Sequence, residues 1–351
     1  MTASAPEPDL TEFDRLEEVD ELRKALQSTQ AQLRREKAKT ERLLVAAREG
    51  AREAFLAVGP PPPVPKPSRD ARKGKPEVAL LHLSDWQLGK VTESYNTEVA
   101  LARIEQVGRK VVELTQIERA AHPVREIHVM FGGDLAENAG IFPGQAWEID
   151  SGLFRQAANC IAASERIIRL FLANFEKVTV WVVKGNHGRI GKKGEHPRED
   201  NADGFIAEET YERLKLSADC KRLAWNAPRR WYALVEIGNY RPLLIHGDQI
   251  KQFGGNLPAY GIAKKANAWA AGVIPGFKDD LYLGHFHQPM VLPMAVGRRR
   301  TFMNPSTESH SAYAQEFIAA QGFPGQRLNF IEPDRGAVTT ERIVWLDDLG
   351  G

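Results

Sequence analysis

The chain reads as an α/β protein built on a mixed sheet and preceded by one long helix. Three observations carry that reading. From about Glu77 onward, short apolar runs alternate with amphipathic helical stretches. A strand–turn–strand pattern around 222–245 makes the sheet mixed rather than purely parallel. Residues 10–49 contain no Pro or Gly and are filled with good helix formers.

In the helix, Leu22, Leu26, Thr29, Leu33, Glu36, Thr40, Leu43 and Ala47 recur in alternating steps of four and three, which is heptad spacing. At ~1.5 Å per residue such a helix reaches about 70 Å, far longer than one inside a small domain. Segment 1–58 is therefore expected to be a coiled coil that forms a homo-oligomer or docks a partner protein. The polar seam residues Thr29, Glu36 and Thr40 leave a solvated single helix as the alternative. Residues 59–76, GPPPPVPKPSRDARKGKP, read as an extended, locally basic spacer and domain boundary.

Residues 77–351 form the remaining domain. Strands are expected at EVALLHL (77–83), EIHVMF (126–131), VTVWVV (178–183), PLLIH (242–246) and DLYLG (280–284). Helices are expected over Thr97–Arg119, Leu153–Asn174 and Asp203–Leu216. In the hairpin, WYALVEI and RPLLIH flank a Gly238-Asn239 turn.

Composition narrows the function classes. Across 351 residues, 42% are hydrophobic and 26% charged, as in soluble globular proteins. No apolar run approaches the ~20 residues of a membrane span, so no membrane partner is expected. The opening MTASAPEPDLTEFDRLEE has no secretory pattern, which suggests a cytoplasmic protein. Cys160 and Cys220 suit free thiols in a reducing compartment. Lys and Arg number 47 against 46 Asp and Glu, so any polyanion contact must be local.

The residues just past each strand carry the chemistry. These tips are Ser84-Asp85-Trp86-Gln87, Gly132-Gly133-Asp134, Lys184-Gly185-Asn186-His187, His246-Gly247-Asp248 and Gly284-His285-Phe286-His287. Open α/β sheets bind ligands at the carboxyl ends of their strands, so these tips can meet in one crevice. Asp85, Asp134, Gln87, Asn186, His246, His285 and His287 supply two carboxylates, two amides and three imidazoles. That exceeds one tetrahedral zinc site and suits two divalent ions such as manganese, iron or zinc. A carboxylate can bridge a pair ~3.5–4 Å apart, which acidifies water and clamps a phosphoryl oxygen.

The ordered set D-x-Q, G-G-D, G-N-H, H-G-D and G-H-x-H resembles the calcineurin-like metallophosphoesterases, whose pattern is D-x-H, G-D, G-N-H, H and G-H-x-H. The likeness covers about 78–305. It implies a four-layer αββα sandwich of two mixed sheets with a dinuclear site at one edge. It implies that Asp85, Gln87 and His287 hold the first metal, that Asp134 bridges, and that Asn186, His246 and His285 hold the second. It also implies that His187 contacts the phosphoryl group and protonates the leaving oxygen. Two positions depart from the family. Gln87 replaces a histidine, hardening its site toward manganese or magnesium over zinc. Gly188 stands where a carboxylate often follows G-N-H, leaving Asp248 or Glu137 to orient His187.

Further candidates lie nearby. Arg189 could grip a substrate phosphate through its planar fork, or form a surface salt bridge. Glu137 and Asn138 could line the pocket or cap a turn. Trp86 and Trp147 could stack on a base or fill core. His82 and His128 sit inside strand runs as structural residues, while His196 and His310 fall in loops without an assigned role. Two polar loops, 188–204 and 248–261, hold Lys192, Lys193 and Lys251, with Lys264 and Lys265 just beyond. These suit a polyanion. The expected function is hydrolysis of phosphodiester bonds in nucleic acid or nucleotides by a hydroxide activated between two metals, manganese foremost. Phosphomonoester hydrolysis, including that of phosphoproteins, is the alternative; an inactive scaffold acting through the coiled coil is a third reading.

Overall fold

Parallel strands rich in Val, Leu and Ile need cover on both faces, and that need organises this computed structural model. It describes residues 10–57, 60–191, 193–251, 258–295, 297–308 and 323–346. The chain divides into two units, Met1–Gly59 and Pro60–Gly351.

The first unit is helix α1 (Leu10–Ala57). Three of its heptad leucines find no cover along the helix: Leu22, Leu26 and Leu33 are 63%, 57% and 55% exposed. Thr29 turns its hydroxyl back to the carbonyl of Ala25 at 2.8 Å. The side chains of Thr40, Leu43 and Ala47 lie outside the described residues.

The second unit holds two mixed sheets. In the first, β1 (Glu77–Leu83), β2 (Val124–Phe131), β3 (Lys177–Val182) and β4 (Leu223–Asn226) run parallel. The second contains β5 (Tyr232–Leu234), β6 (Leu243–Ile245), β7 (Leu281–Leu283), β8 (Val291–Pro293) and β9 (Arg300–Met303). It is ordered β5-β6-β7-β9-β8, with β6, β7 and β9 parallel. The first sheet is completed by β10 (Gly325–Glu332), antiparallel to β1, and β11 (Ala337–Trp345) at the edge. All seven residues of β1 are buried, the signature of a strand covered on both faces.

The inner faces meet in one apolar cluster that includes Val78, Leu80, Met130 and Ile331 from one sheet and Leu244, Tyr282 and Phe302 from the other. Outside the first sheet, α3 (Leu153–Asn174) packs between α2 (Thr97–Glu118) and α4 (Ala202–Lys215). Asn96 and Asn201 start α2 and α4 by accepting N–H bonds from Val99 and Asp203. Over the second sheet lies α5 (Ala259–Ala268), continued by a π turn through Val273. There Ile262, Ala266 and Trp269 cover Ile245, Leu281 and Leu283. The result is the four-layer αββα sandwich.

The hairpin forms as expected. Ile237 and Tyr240 exchange N–H···O bonds of 3.0 and 2.9 Å across Gly238, whose φ of +56° a glycine adopts without steric cost. The segment expected to be a spacer is fastened down: Val64 and Asp70 donate backbone N–H bonds to Asp219 and Glu176. Strands β4 and β8 to β11 were not anticipated. Among the described residues no helix is long and apolar enough to cross a membrane. Cys160 is buried and Cys220 half-buried, both as free thiols.

Candidate metal centre

Strands β1, β2 and β3 are parallel neighbours, as are β6 and β7, so within each group the carboxyl ends emerge on one side. The turns beyond them are left-handed. Among the described residues, the non-glycine residues with positive φ are Asp85 (54°), Gln87 (43°), Asp134 (54°), Asn138 (72°), His285 (65°) and His287 (54°). Each costs ~1–2 kcal/mol for a residue with a Cβ. Such strain persists where surrounding structure over-determines it, commonly at functional sites. Five of the six are expected metal ligands. Two motif glycines make room for the carboxylates: a Cβ on Gly185 would meet Asp134 Oδ1 at 2.1 Å, and one on Gly284 would meet Asp85 Oδ2 at 2.3 Å.

The donors converge around Asp134. Its Oδ2 lies 2.9 Å from His246 Nε2 and 3.9 Å from His187 Nε2. Ligand atoms of Asp134, His246 and His285 all fall within 4.8 Å of one another. Asn186 Oδ1 is 3.1 Å from His246 Nε2, adding an oxygen donor to the group. On the other side, His287 Nε2 is 3.3 Å from Asp85 Oδ1, and both Asp85 oxygens accept the backbone N–H of His285 at 3.1 Å. Gln87 is buried, with its amide nitrogen 3.5 Å from His187 Nε2 and its oxygen 3.4 Å from Lys90 Nζ. The seven expected ligand residues thus lie near one another at these strand ends, with Asp134, His246 and His285 the tightest group. Two carboxylates, two amides and three imidazoles are a donor set that fits divalent cations.

Electrostatics agree with a cation-seeking site. Burial works against charge on His246, yet the Asp134 carboxylate pushes it up to about 10. His187 is likewise pushed up to about 9, because Asp134 and Glu137 overcome burial. Burial and the neighbouring His246 pull His285 down to about 4, which favours the neutral imidazole that ligates metal. Despite burial, Asp85 and Asp134 are held below the usual carboxylate range by the adjoining histidines.

The orienting group for His187 is Glu137. His187 Nδ1 lies 3.0 Å from the Glu137 carbonyl and 3.2 Å from its carboxylate. Gln145 donates to the same carboxylate at 2.9 Å. Asn138 sits beneath the turn, where its amide donates to the carbonyls of His187 (2.7 Å) and Arg189 (2.9 Å); this braces the turn. Arg189 donates its Nε–H to the Asn186 carbonyl at 3.0 Å. Trp86 is fully buried in core, whereas Trp147 is 92% exposed. His82 and His128 are buried within β1 and β2. His196 borders the cavity beside the β3 turn. Lys192 and His310 lie outside the described residues.

Asp203, which lies in none of the sequence motifs, also shapes the site. Its buried carboxylate accepts backbone N–H bonds from Asp134 (3.0 Å), Leu135 (3.0 Å) and Gly185 (2.8 Å), tying the β2 and β3 turns together. Burial and Asp134 raise its pKa. The available signal was an acidic residue two after the Asn201 cap. Lys90, whose ammonium bonds Glu308 at 2.8 Å, was also missed.

No family model and no curated protein matches the chain. Among solved structures, it is similar to vacuolar protein sorting 29 of Cryptosporidium parvum (11% identity, TM-score 0.36, 77% of this chain and 98% of that one). The zinc complex of Vps29 from Entamoeba histolytica aligns at 12% identity and TM-score 0.34, over 76% of this chain and 98% of the other. A purple acid phosphatase from yellow lupin aligns at 11% identity and TM-score 0.33, over 80% of this chain and 55% of the other. Sheet order and the flanking helices give the chain a four-layer αββα sandwich, with the candidate donors at the carboxyl ends of its parallel strands.

Proposed function

We propose that the chain is a metal-dependent phosphodiesterase acting on nucleic acid or nucleotides. The observation that carries this reading is Asp134, whose carboxylate faces His246 at 2.9 Å and shares a 4.8 Å cluster with His285, while the Asp85–His287 pair lies alongside. Asp85, Gln87 and His287 would hold one divalent ion, Asn186, His246 and His285 a second, with Asp134 between them. When bound, the ions supply Lewis acidity at the phosphoryl group and lower the pKa of attacking water. Manganese is favoured by the extra oxygen donor of Gln87.

The chain's own residues do the rest. Glu137 fixes the His187 ring through Nδ1, leaving Nε2 toward the crevice. From there it can hand a proton to the leaving oxygen, a role suited to imidazole near neutral pH. Asn138 and Asp203 hold the two turns that set the spacing between His187 and Asp134. The cationic residues of loop 188–204 favour a substrate whose negative charge extends past the scissile phosphate.

Manganese-loaded protein should hydrolyse bis(p-nitrophenyl) phosphate well above p-nitrophenyl phosphate in kcat/KM. Predominant monoester turnover would overturn the diester reading.

A further inference from the structure

Beside the centre lies a cavity of about 270 Å³ that the hydrolytic chemistry does not use. One wall is the turn after β3, including Gly185 and Arg189 on either side of Asn186 and His187. Another is Asp248 and Gln249, directly after His246, so the cavity borders the centre through residues next to its ligands. A third is the segment Arg229–Trp231 that leads into β5.

Its charge is lopsided. Six cationic side chains, Lys184, Arg189, Lys193, Arg198, Arg229 and Arg230, line it against two carboxylates, Asp200 and Asp248. That concentration stands out in a chain whose formal net charge is +1. Several cations elsewhere in the domain are paired at short range, as in Arg213–Glu165 and Lys90–Glu308. Here Lys184, Lys193, Arg198 and Arg229 join no ion pair among the described residues. Lys184 is half-buried on this wall. Arginine forks bind phosphate oxygens in pairs. Trp231 shares the wall with them, supported by the Trp269 ring at 5.4 Å. Cations interleaved with an aromatic ring suit a polymer of phosphates and bases, since a base stacks on indole without sequence preference.

We propose that this cavity is a strand-binding subsite, holding phosphates of a single-stranded nucleic acid adjacent to the ester at the metal centre, with Trp231 taking a base. This rests on the diesterase reading above and deepens it by naming the polymer as substrate class. Cleavage would then depend on length: a strand engages both sites, a small diester only one.

Fluorescence anisotropy tests this with manganese-loaded full-length protein and a labelled phosphorothioate strand of about ten nucleotides, which resists turnover and spans a typical single-strand site. Arg198→Ala with Arg229→Ala should weaken binding about tenfold at moderate salt and reduce the salt slope by about 0.7 for each cation removed. Lys221→Ala with Arg335→Ala, exposed positions outside the cavity, should leave affinity within about twofold by the same charge accounting. Equal weakening by both pairs, no effect of the first, or no binding by wild type would overturn the proposal. Pyrophosphate displacing the strand at equal concentration would assign the cavity to a small phosphate and overturn it too. Because binding is read without turnover, it stands or falls separately from the hydrolysis test of the centre.

Discussion

Asp203→Ala is the perturbation whose size can be worked most directly from the geometry. The carboxylate takes three backbone N–H bonds of 2.8–3.0 Å from Asp134, Leu135 and Gly185, with no exposed surface of its own. Hydrogen bonds to a charged acceptor contribute ~1.5–3 kcal/mol each, and an orphaned buried N–H costs a similar amount. Loss of all three would therefore cost roughly 5–9 kcal/mol. Part of that is returned, because burial and the nearby Asp134 charge already penalise the ionised carboxylate, as its raised pKa indicates. A net loss of about 3–5 kcal/mol remains. For a domain of this size that lowers Tm by about 10 °C. Scanning calorimetry of metal-free protein reads the shift directly, and Asp203→Asn, which keeps one acceptor oxygen, should fall between. A melting point for the alanine variant within about 2 °C of wild type would show that the turns are held by something else.

Three other perturbations have defined outcomes. His187→Ala should lower kcat by ~10²–10⁴ on diesters with poor leaving groups and much less on nitrophenyl esters, which leave unaided; an equal loss on both would remove the proton-donor role. His128, held down to about 3 by burial, stays neutral in the fold while the unfolded chain protonates below its ordinary value of 6.5. Stability should therefore fall as pH drops through that window, by up to ~5 kcal/mol from this residue. His128→Gln, which keeps an acceptor for the 3.1 Å bond from Trp181, should flatten the slope, and an unchanged slope in denaturant titrations would count against the assignment. Removing residues 1–58 should lower the oligomeric state seen by light scattering while hydrolysis persists, because Leu22, Leu26 and Leu33 are left uncovered along α1. The same number of subunits before and after truncation would refute oligomerisation through the helix.

The candidate centre was legible because it is written in residue order. Each candidate ligand sits within a few residues of a buried β-branched or leucine-rich run, and parallel strands deliver those positions to one edge without further information. The strands β1, β2, β3, β6 and β7 that carry ligands are the ones with continuous apolar sequence. The partly exposed or polar strands were hidden: β11 (AVTTERIVW) alternates with solvent, and β10 (GQRLNFIE) buries Gln326, Arg327 and Asn329 through side-chain hydrogen bonds that no local pattern announces. The Pro333-Asp334-Arg335-Gly336 turn between them was the missed signal. Asp203 carries only a helix-cap signal in the sequence, since its partners are backbone groups far away in sequence. The choice of Glu137 over Asp248 to orient His187 depended on a distance, which only the folded turn at Asn138 sets.

The proposed hydrolysis requires one aspartate, Asp134, to be shared by two cations. Isothermal titration of metal-free protein with manganese tests it most directly: wild type should bind two ions per chain, and Asp134→Asn should lose the tight phase while keeping its fold by circular dichroism. Negligible binding by wild type, or superimposable isotherms for the two proteins, would contradict a dinuclear centre at these strand ends.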